Sequence, residues 1–60
     1  MEQSFINAVD IMKILGVSRA KAYKIIRELN DELSKNGYMT VRGKISRKFF
    51  NEKFYGFDNN

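Results

Sequence analysis

Neither a disulfide nor a zinc site with thiolate or imidazole ligands can form in this chain of 60 residues, because it contains no cysteine and no histidine. A chain of this length buries only about 60% of the surface that it exposes when unfolded. Its stability must therefore come from packed aliphatic and aromatic side chains, and 43% of the residues are hydrophobic. The sequence predicts one small domain over residues 1–60, ordered over about residues 5–56.

The same absences restrict catalysis, since the usual thiolate nucleophile and imidazole base are both missing. The carboxylates show no metal-loop spacing, and the four glycines occur singly rather than in a phosphate-binding loop. We predict that the protein is not an enzyme and has no catalytic residue, metal site or cofactor. The chain also lacks a signal-peptide pattern and an apolar run near the ~20 residues that span a bilayer, which predicts a cytoplasmic location.

Basic residues are concentrated in two segments, although the net charge is only +4. Residues 19–27 contain four basic side chains and no acidic one, and residues 42–48 contain four more, again without an acid. All seven acidic residues lie elsewhere. A solvated surface explains either cluster alone, but two acid-free clusters favour a protein that contacts nucleic acid through two elements.

Two amphipathic helices are predicted in the first half of the chain. Asn7 is placed to cap a helix over residues 8–15, with Asp10 completing a capping box, and Gly16 is placed to end it in a left-handed conformation. Ser18 caps a second helix that continues to the turn at 36–37, with its basic residues in the first half and its acidic residues in the second. A short glycine-containing connection between two helices is typical of a helix-turn-helix.

The pattern then changes from helical to strand-like, and residues 38–46 read as a hairpin or wing. A three-residue loop, residues 41–43 with Gly43 left-handed, would pair Met39 with Ile45 on the inner face. The two-residue turn Arg42–Gly43 would instead mix polar and apolar residues on both faces. Ser46 is placed to cap a third helix from residue 47 to about Tyr55, followed by Gly56 as terminator. The predicted fold is mainly α with a small β-hairpin, a winged helix-turn-helix in the order helix, helix, hairpin, helix.

The run from Phe5 to Arg19 with its Leu-Gly-Val-Ser connector, followed by Ala22-Tyr23-Lys24-Ile25-Ile26, resembles small excisionase-like and MerR-like DNA-binding domains. The similarity continues through the Val41–Ile45 wing and the third helix. It implies that the second helix enters the major groove and that the wing tracks the backbone or the minor groove. Free-standing members in bacterial mobile elements are architectural factors that bend DNA and assist a tyrosine recombinase. These 60 residues show no counterpart of the dimerising coiled coil and effector domain of MerR regulators, so effector sensing is not expected.

The leading hypothesis is sequence-preferring binding of double-stranded DNA, with the protein cytoplasmic and associated with the bacterial nucleoid when bound. The predicted DNA contacts come from the second helix and the wing: Arg19, Lys21, Tyr23, Lys24, Arg27, Arg42 and Lys44. Arg19 or Lys24 is the expected guanine reader, whereas Tyr23 fits equally a packing residue or a phosphate donor. A protein this small offers about six phosphate contacts, which predicts cooperative self-association on DNA or help from a partner.

Two rival functions remain open at this point. The same fold would serve a small transcriptional repressor of a mobile element, which footprints over a promoter would reveal. A different class of function is an adaptor that holds a polymerase, recombinase or relaxase through aromatic residues of the third helix, of which Phe49 and Tyr55 are the candidates. Core packing is the simpler interpretation of those aromatic side chains.

Overall fold

The computed structural model describes residues 5–55. Its elements are, in order, β1 (Phe5–Asn7), α1 (Ala8–Leu15), α2 (Arg19–Lys35), β2 (Lys44–Ser46) and α3 (Arg47–Tyr55). The described chain is mainly helical with a small two-stranded antiparallel sheet, so the predicted fold class is confirmed and the layout is consistent with a winged helix-turn-helix. The predicted terminator Gly56 lies outside the described residues.

Helix α1 begins and ends where its local sequence predicts. The Asn7 side chain accepts a hydrogen bond from the Asp10 backbone N–H at 3.0 Å, and the Asp10 carboxylate accepts one from the Asn7 N–H, also at 3.0 Å. This reciprocal pair is the capping box. At the other end, Gly16 has a φ of 68°, and its N–H donates to the Met12 carbonyl at 2.9 Å. The left-handed conformation lets the chain leave α1 without strain.

Serine caps the other two helices as predicted. The Ser18 hydroxyl accepts from the Lys21 N–H at 3.2 Å at the start of α2, and the Ser46 hydroxyl accepts from the Phe49 N–H at 3.2 Å at the start of α3. Helix α2 ends in a Schellman motif, in which the Tyr38 N–H donates to the Leu33 carbonyl and the Gly37 N–H to that of Ser34, both at 3.0 Å. Both ends of α1 and α2 and the start of α3 are therefore set by hydrogen bonds among neighbouring residues.

The core lies where the apolar faces of the helices meet the small sheet. Helix α2 contributes Ala22, Ile26 and Leu29, which belong to its predicted apolar stripe. Among residues 5–55 the buried cluster consists of Ile6, Ala8, Ile11, Ala22, Ile26, Leu29, Ile45 and Phe50. Phe50 anchors α3 in this cluster, and its ring packs on that of Phe54 one turn later, with the centroids 4.7 Å apart.

The predicted pairing of the wing is wrong. Strand β2 pairs with β1, which places Ile45 opposite Ile6, and both side chains are buried. Met39, the predicted partner of Ile45, is 96% exposed. The physical reason is that Ile6 and Ile45 are buried together in the core beside the helices, whereas residues 38–40 form no strand and leave Met39 in solvent.

The turn at the wing tip also differs from the prediction. Val41 and Lys44 form a β-bridge across the two residues Arg42 and Gly43, and the Lys44 N–H donates to the Val41 carbonyl at 3.1 Å. Gly43 is left-handed as predicted, with a φ of 78°, while Arg42 has a negative φ. This sign pattern matches a type II turn. The two-residue turn is accommodated because residues 38–40 form no strand and bury neither Tyr38 nor Met39.

Candidate nucleic-acid interface

The basic residues of α2 lie on its solvent-exposed surface. Arg19, Lys21, Lys24 and Arg27 are all exposed, and the helix places them within its first nine residues, starting at the cap that follows the turn. The acidic residues of α2 follow in its second half, from Glu28 onward. The N-terminal half of α2 is therefore cationic and the C-terminal half acidic. This distribution of charge is expected of a helix that enters a DNA groove with its N-terminal residues.

Helix α2 and the wing tip meet at an open groove of about 610 Å³, which we call the wing–helix groove. Among the predicted contact residues, Tyr23 and Arg27 line it from α2 and Arg42 lines it from the wing. Tyr23 is 47% exposed, so its ring is not part of the core. The remaining lining residues of the groove are Ile26, Asn30, Asp31, Thr40 and Gly43. The fold thus brings one residue triad from two distant segments to one concave surface.

A carboxylate restricts where a phosphate group can bind in this groove. Asp31 lies one helical turn beyond Arg27 and lines the same surface. A phosphate group would be attracted at the Arg27 and Arg42 end and repelled near Asp31, because like charges raise the free energy of a close approach. The arrangement therefore gives the groove a polarity along α2.

The other predicted contacts lie outside this groove. Arg19 and Lys24 are exposed on α2, and Lys44 is exposed at the start of β2. At ~100° per residue, Lys21 projects from the flank of α2 that is roughly opposite Asn30, and hence away from the wing. The wing and α2 therefore share one groove, and the other cationic side chains lie on the surface around it. The basic residues do not form one continuous row.

Asn30 belongs to this site but was not predicted from the sequence. Its side-chain amide donates to the Val41 carbonyl at 3.1 Å and to the Lys44 carbonyl at 3.0 Å, which ties α2 to both sides of the wing turn. A signal was present in the sequence, because Asn30 falls four residues after Ile26 and three before Leu33, on the edge of the apolar stripe. A polar side chain at such a position needs a hydrogen-bond partner when the helix packs.

A second groove, of about 530 Å³, shares Asn30 and Thr40 with the wing–helix groove, and we call it the apolar groove. Phe5, Met39 and Phe49 line it from β1, the wing and α3 respectively. Phe49 is half-buried against the core, and the Lys53 ammonium lies 5.6 Å from the centre of its ring. The candidate partner residue Phe49 is therefore partly a packing residue, and the side chain of Tyr55 lies outside the described part of the chain.

Helices α2 and α3 are also joined by charge. The Lys53 ammonium lies 2.6 Å from a Glu32 carboxylate oxygen, and the two side chains are 40% and 45% exposed. This pair neutralises one of the acidic residues in the second half of α2. Because both groups are well solvated, the pair adds little to stability.

A comparison with curated proteins decides the family. The chain is 52% identical to the ICEBs1 excisionase of Bacillus subtilis (strain 168) over 52 residues, which cover 87% of this chain and 81% of that protein. The chain belongs to this excisionase family. No family model matches the chain, and no solved structure gives a match.

Membership of the excisionase family settles two of the predictions. Excisionases are accessory proteins without catalytic activity of their own, so the prediction of a non-enzyme is confirmed. The family also places the protein in DNA recombination of a mobile element. Between residues 5 and 55, no helix of this protein is long and apolar enough to cross a membrane.

Proposed function

We propose that this protein is a cytoplasmic accessory factor that binds and bends double-stranded DNA of its mobile element and so assists a recombinase. The whole chain acts as one winged helix-turn-helix. The observation that carries the proposal is that Tyr23 and Arg27 of α2 and Arg42 of the wing line one groove. A duplex that lies along this surface meets cationic side chains from two elements.

Binding divides into contacts that set position and contacts that read sequence. Arg27, Arg42, Lys44 and Lys21 contact phosphates and fix the register of α2 on the duplex. Arg19 or Lys24, in the first turns of α2, reads guanine in the major groove, where a long cationic side chain reaches both acceptors of that base.

Tyr23 supports the same surface from the groove wall. Its ring packs on the wing–helix groove, and its hydroxyl donates a hydrogen bond to a phosphate oxygen. Because Tyr23 is 47% exposed and lies outside the buried cluster, removal of the hydroxyl alone does not open the core. The variant Tyr23→Phe therefore separates a packing role, which it preserves, from a phosphate contact, which it removes.

One protomer makes a limited set of ionic contacts. The six predicted cationic contacts correspond to a slope of about −5 in the logarithm of affinity against the logarithm of salt concentration. Binding of this kind is weak at physiological salt, so stable occupancy requires neighbouring copies on the DNA or a bound recombinase. Bending follows when adjacent copies hold successive grooves of one duplex.

Fluorescence anisotropy with a mixed-sequence duplex at 50 and 200 mM salt tests the proposal. Arg27→Gln and Arg42→Gln each remove one phosphate contact, so the affinity ratio between the two salt concentrations shrinks about 3.5-fold for each variant. Lys35→Gln is the control, because Lys35 is exposed at the far end of α2 and carries the same charge. Equal effects of all three variants would show that binding depends on net charge and not on the wing–helix groove.

NMR titration of the full chain with the same duplex locates the surface. Salt-sensitive shifts confined to residues 18–27 and 41–48 support binding through α2 and the wing. Shifts centred on residues 49–57 point instead to the adaptor function. Footprints of the protein over a promoter rather than over recombination sites would identify the repressor alternative.

The apolar groove favours a protein partner as a second part of the function. Met39 is 96% exposed, Tyr38 65% and Phe5 41%, and all three line this groove. A recombinase contact at this surface leaves the wing–helix groove free for DNA. Phe49, which lines this groove, and Tyr55 remain the proposed partner residues of α3.

Met39→Ala tests this partner surface better than Phe49→Ala, because Phe49 also packs on the core. The expected result is a loss of recombination in an excision assay with the element's own recombinase, while DNA affinity and stability stay unchanged. Full excision activity of Met39→Ala would exclude Met39 from the partner contact.

A further inference from the structure

The wing has few interactions of its own to hold its tip in place. Strand β2 is three residues long and pairs with β1, so the arm over residues 38–40 has no strand partner. Within the described residues, the tip is closed by the single bridge between Val41 and Lys44 and by their 3.1 Å backbone hydrogen bond. Such a turn on its own is marginally stable in water.

Asn30 supplies the missing restraint. An amide group has two N–H donors, and in Asn30 one points to the carbonyl of Val41 and the other to the carbonyl of Lys44. These carbonyls lie immediately before and after the Arg42–Gly43 turn, so the side chain holds the two ends of the turn together. Both hydrogen bonds have ordinary N–H···O lengths, 3.1 and 3.0 Å.

The position of Asn30 on α2 connects these two hydrogen bonds to the proposed interface. Asn30 lies three residues after Arg27 and seven after Tyr23, so all three project from the same flank of the helix. All three also line the wing–helix groove together with Arg42. The amide therefore fixes the wing tip relative to the helix surface that carries the other cationic contact.

We propose that Asn30 is the positioning residue of the DNA interface: it holds Arg42 where the wing and α2 contact one duplex simultaneously. This inference rests on the proposed function. A free wing would sample many orientations, and the duplex would have to order it on binding, which lowers affinity. Asn30 removes that cost before DNA arrives, without a DNA contact of its own.

Two variants of the full chain test the inference. Asn30→Leu keeps the approximate size of the side chain and the helix, but removes both donors. Asn30→Asp replaces the amide by a carboxylate that repels both carbonyl oxygens, and Asn51→Asp on the exposed surface of α3 is its charge-matched control. Loss of two neutral hydrogen bonds shifts the equilibrium between the closed and the free wing by about fivefold to 150-fold. The affinity for a mixed-sequence duplex is expected to fall by up to that factor in both Asn30 variants, and to stay near wild type in Asn51→Asp.

Two further readouts separate positioning from a general structural role. Backbone ¹⁵N relaxation should show that residues 41–44 gain mobility in Asn30→Leu, while α1 and the first half of α2 keep wild-type order. In a double-mutant cycle, Arg42→Gln should cost little further affinity in the Asn30→Leu background, whereas Arg27→Gln should cost as much as in wild type.

The outcomes distinguish this inference from the function on which it rests. Wild-type protein that fails to bind duplex DNA refutes the proposed function and, with it, the role of Asn30 in DNA binding. Wild-type binding together with full affinity or an ordered wing in Asn30→Leu overturns the inference alone. An undiminished effect of Arg42→Gln in that background does so as well.

Discussion

The pairing of β2 with β1 predicts which side chains stabilise the wing. Ile6 and Ile45 face each other across the two strands with 1% and 0% of their surfaces exposed, whereas Met39 is 96% exposed. Truncation of Ile6 or Ile45 should therefore destabilise the protein, and truncation of Met39 should not. The pattern discriminates the observed pairing from a hairpin in which Met39 lies opposite Ile45.

The size of the truncation must suit so small a protein. At 0.05–0.15 kcal/mol per residue, sixty residues have a free energy of unfolding of about 3–9 kcal/mol. Replacement of a buried isoleucine by alanine costs about 2–5 kcal/mol and would leave much of the protein unfolded. Valine removes one methylene group, so Ile6→Val and Ile45→Val should each cost about 0.5–1.5 kcal/mol. The midpoint of thermal unfolding then falls by about 4–8 °C for each kcal/mol.

Thermal and urea unfolding followed by circular dichroism measure these differences. Ile14→Val is the matched control, because Ile14 undergoes the same chemical change at a site on α1 that is 41% exposed. Ile14→Val and Met39→Ala should stay within about 0.5 kcal/mol of wild type. If Met39→Ala destabilises as much as Ile45→Val, and Ile6→Val is as silent as the control, the wing is a self-contained hairpin and the reasoning is refuted.

Three further predictions concern local stability. Asn7→Ala removes the acceptor for the Asp10 N–H and should cost about 1 kcal/mol in urea unfolding; an unchanged midpoint would mean that water replaces the cap. Gly16 has a φ of 68°, and a methyl group added there would meet open space, so Gly16→Ala should cost about 1–2 kcal/mol from backbone strain alone and Gly16→Asn less; equal losses would contradict this cause. Glu32→Gln, which breaks the exposed pair with Lys53, should cost no more than about 1 kcal/mol, with a smaller loss at high salt; a salt-independent loss would argue against an ionic origin.

The predicted helices were correct because each depends on residues close together in sequence. Asn7 with Asp10, Ser18 with Lys21, and the glycine after α1 form their hydrogen bonds within one turn. The period of the apolar residues then indicated which face of α2 is buried. The concentration of basic residues in two segments is likewise a property of the sequence, and it was enough to predict the candidate DNA contacts.

The partner of β2 was decided by tertiary packing. Ile45 lies opposite Ile6, a residue 39 positions earlier in the chain, and nothing in the local pattern of residues 38–46 records that contact. The local alternation favoured Met39 because a hairpin closes the shortest loop, and loop length is the only cost visible in the sequence. The gain that outweighs it is burial of Ile6 and Ile45 against α1 and α2, which exists only once the helices have packed.

The candidate interface combines both kinds of information. The sequence determined which side chains are cationic and placed them on α2 or the wing, since charge and helical period are local properties. Only the tertiary structure decided that Tyr23, Arg27 and Arg42 share one groove and that Asn30 bridges it to the wing turn. The end of α2 and the irregular arm of the wing separate these two segments in the chain. Their distance in space therefore depends on the packing of the whole core, which no short stretch of sequence specifies.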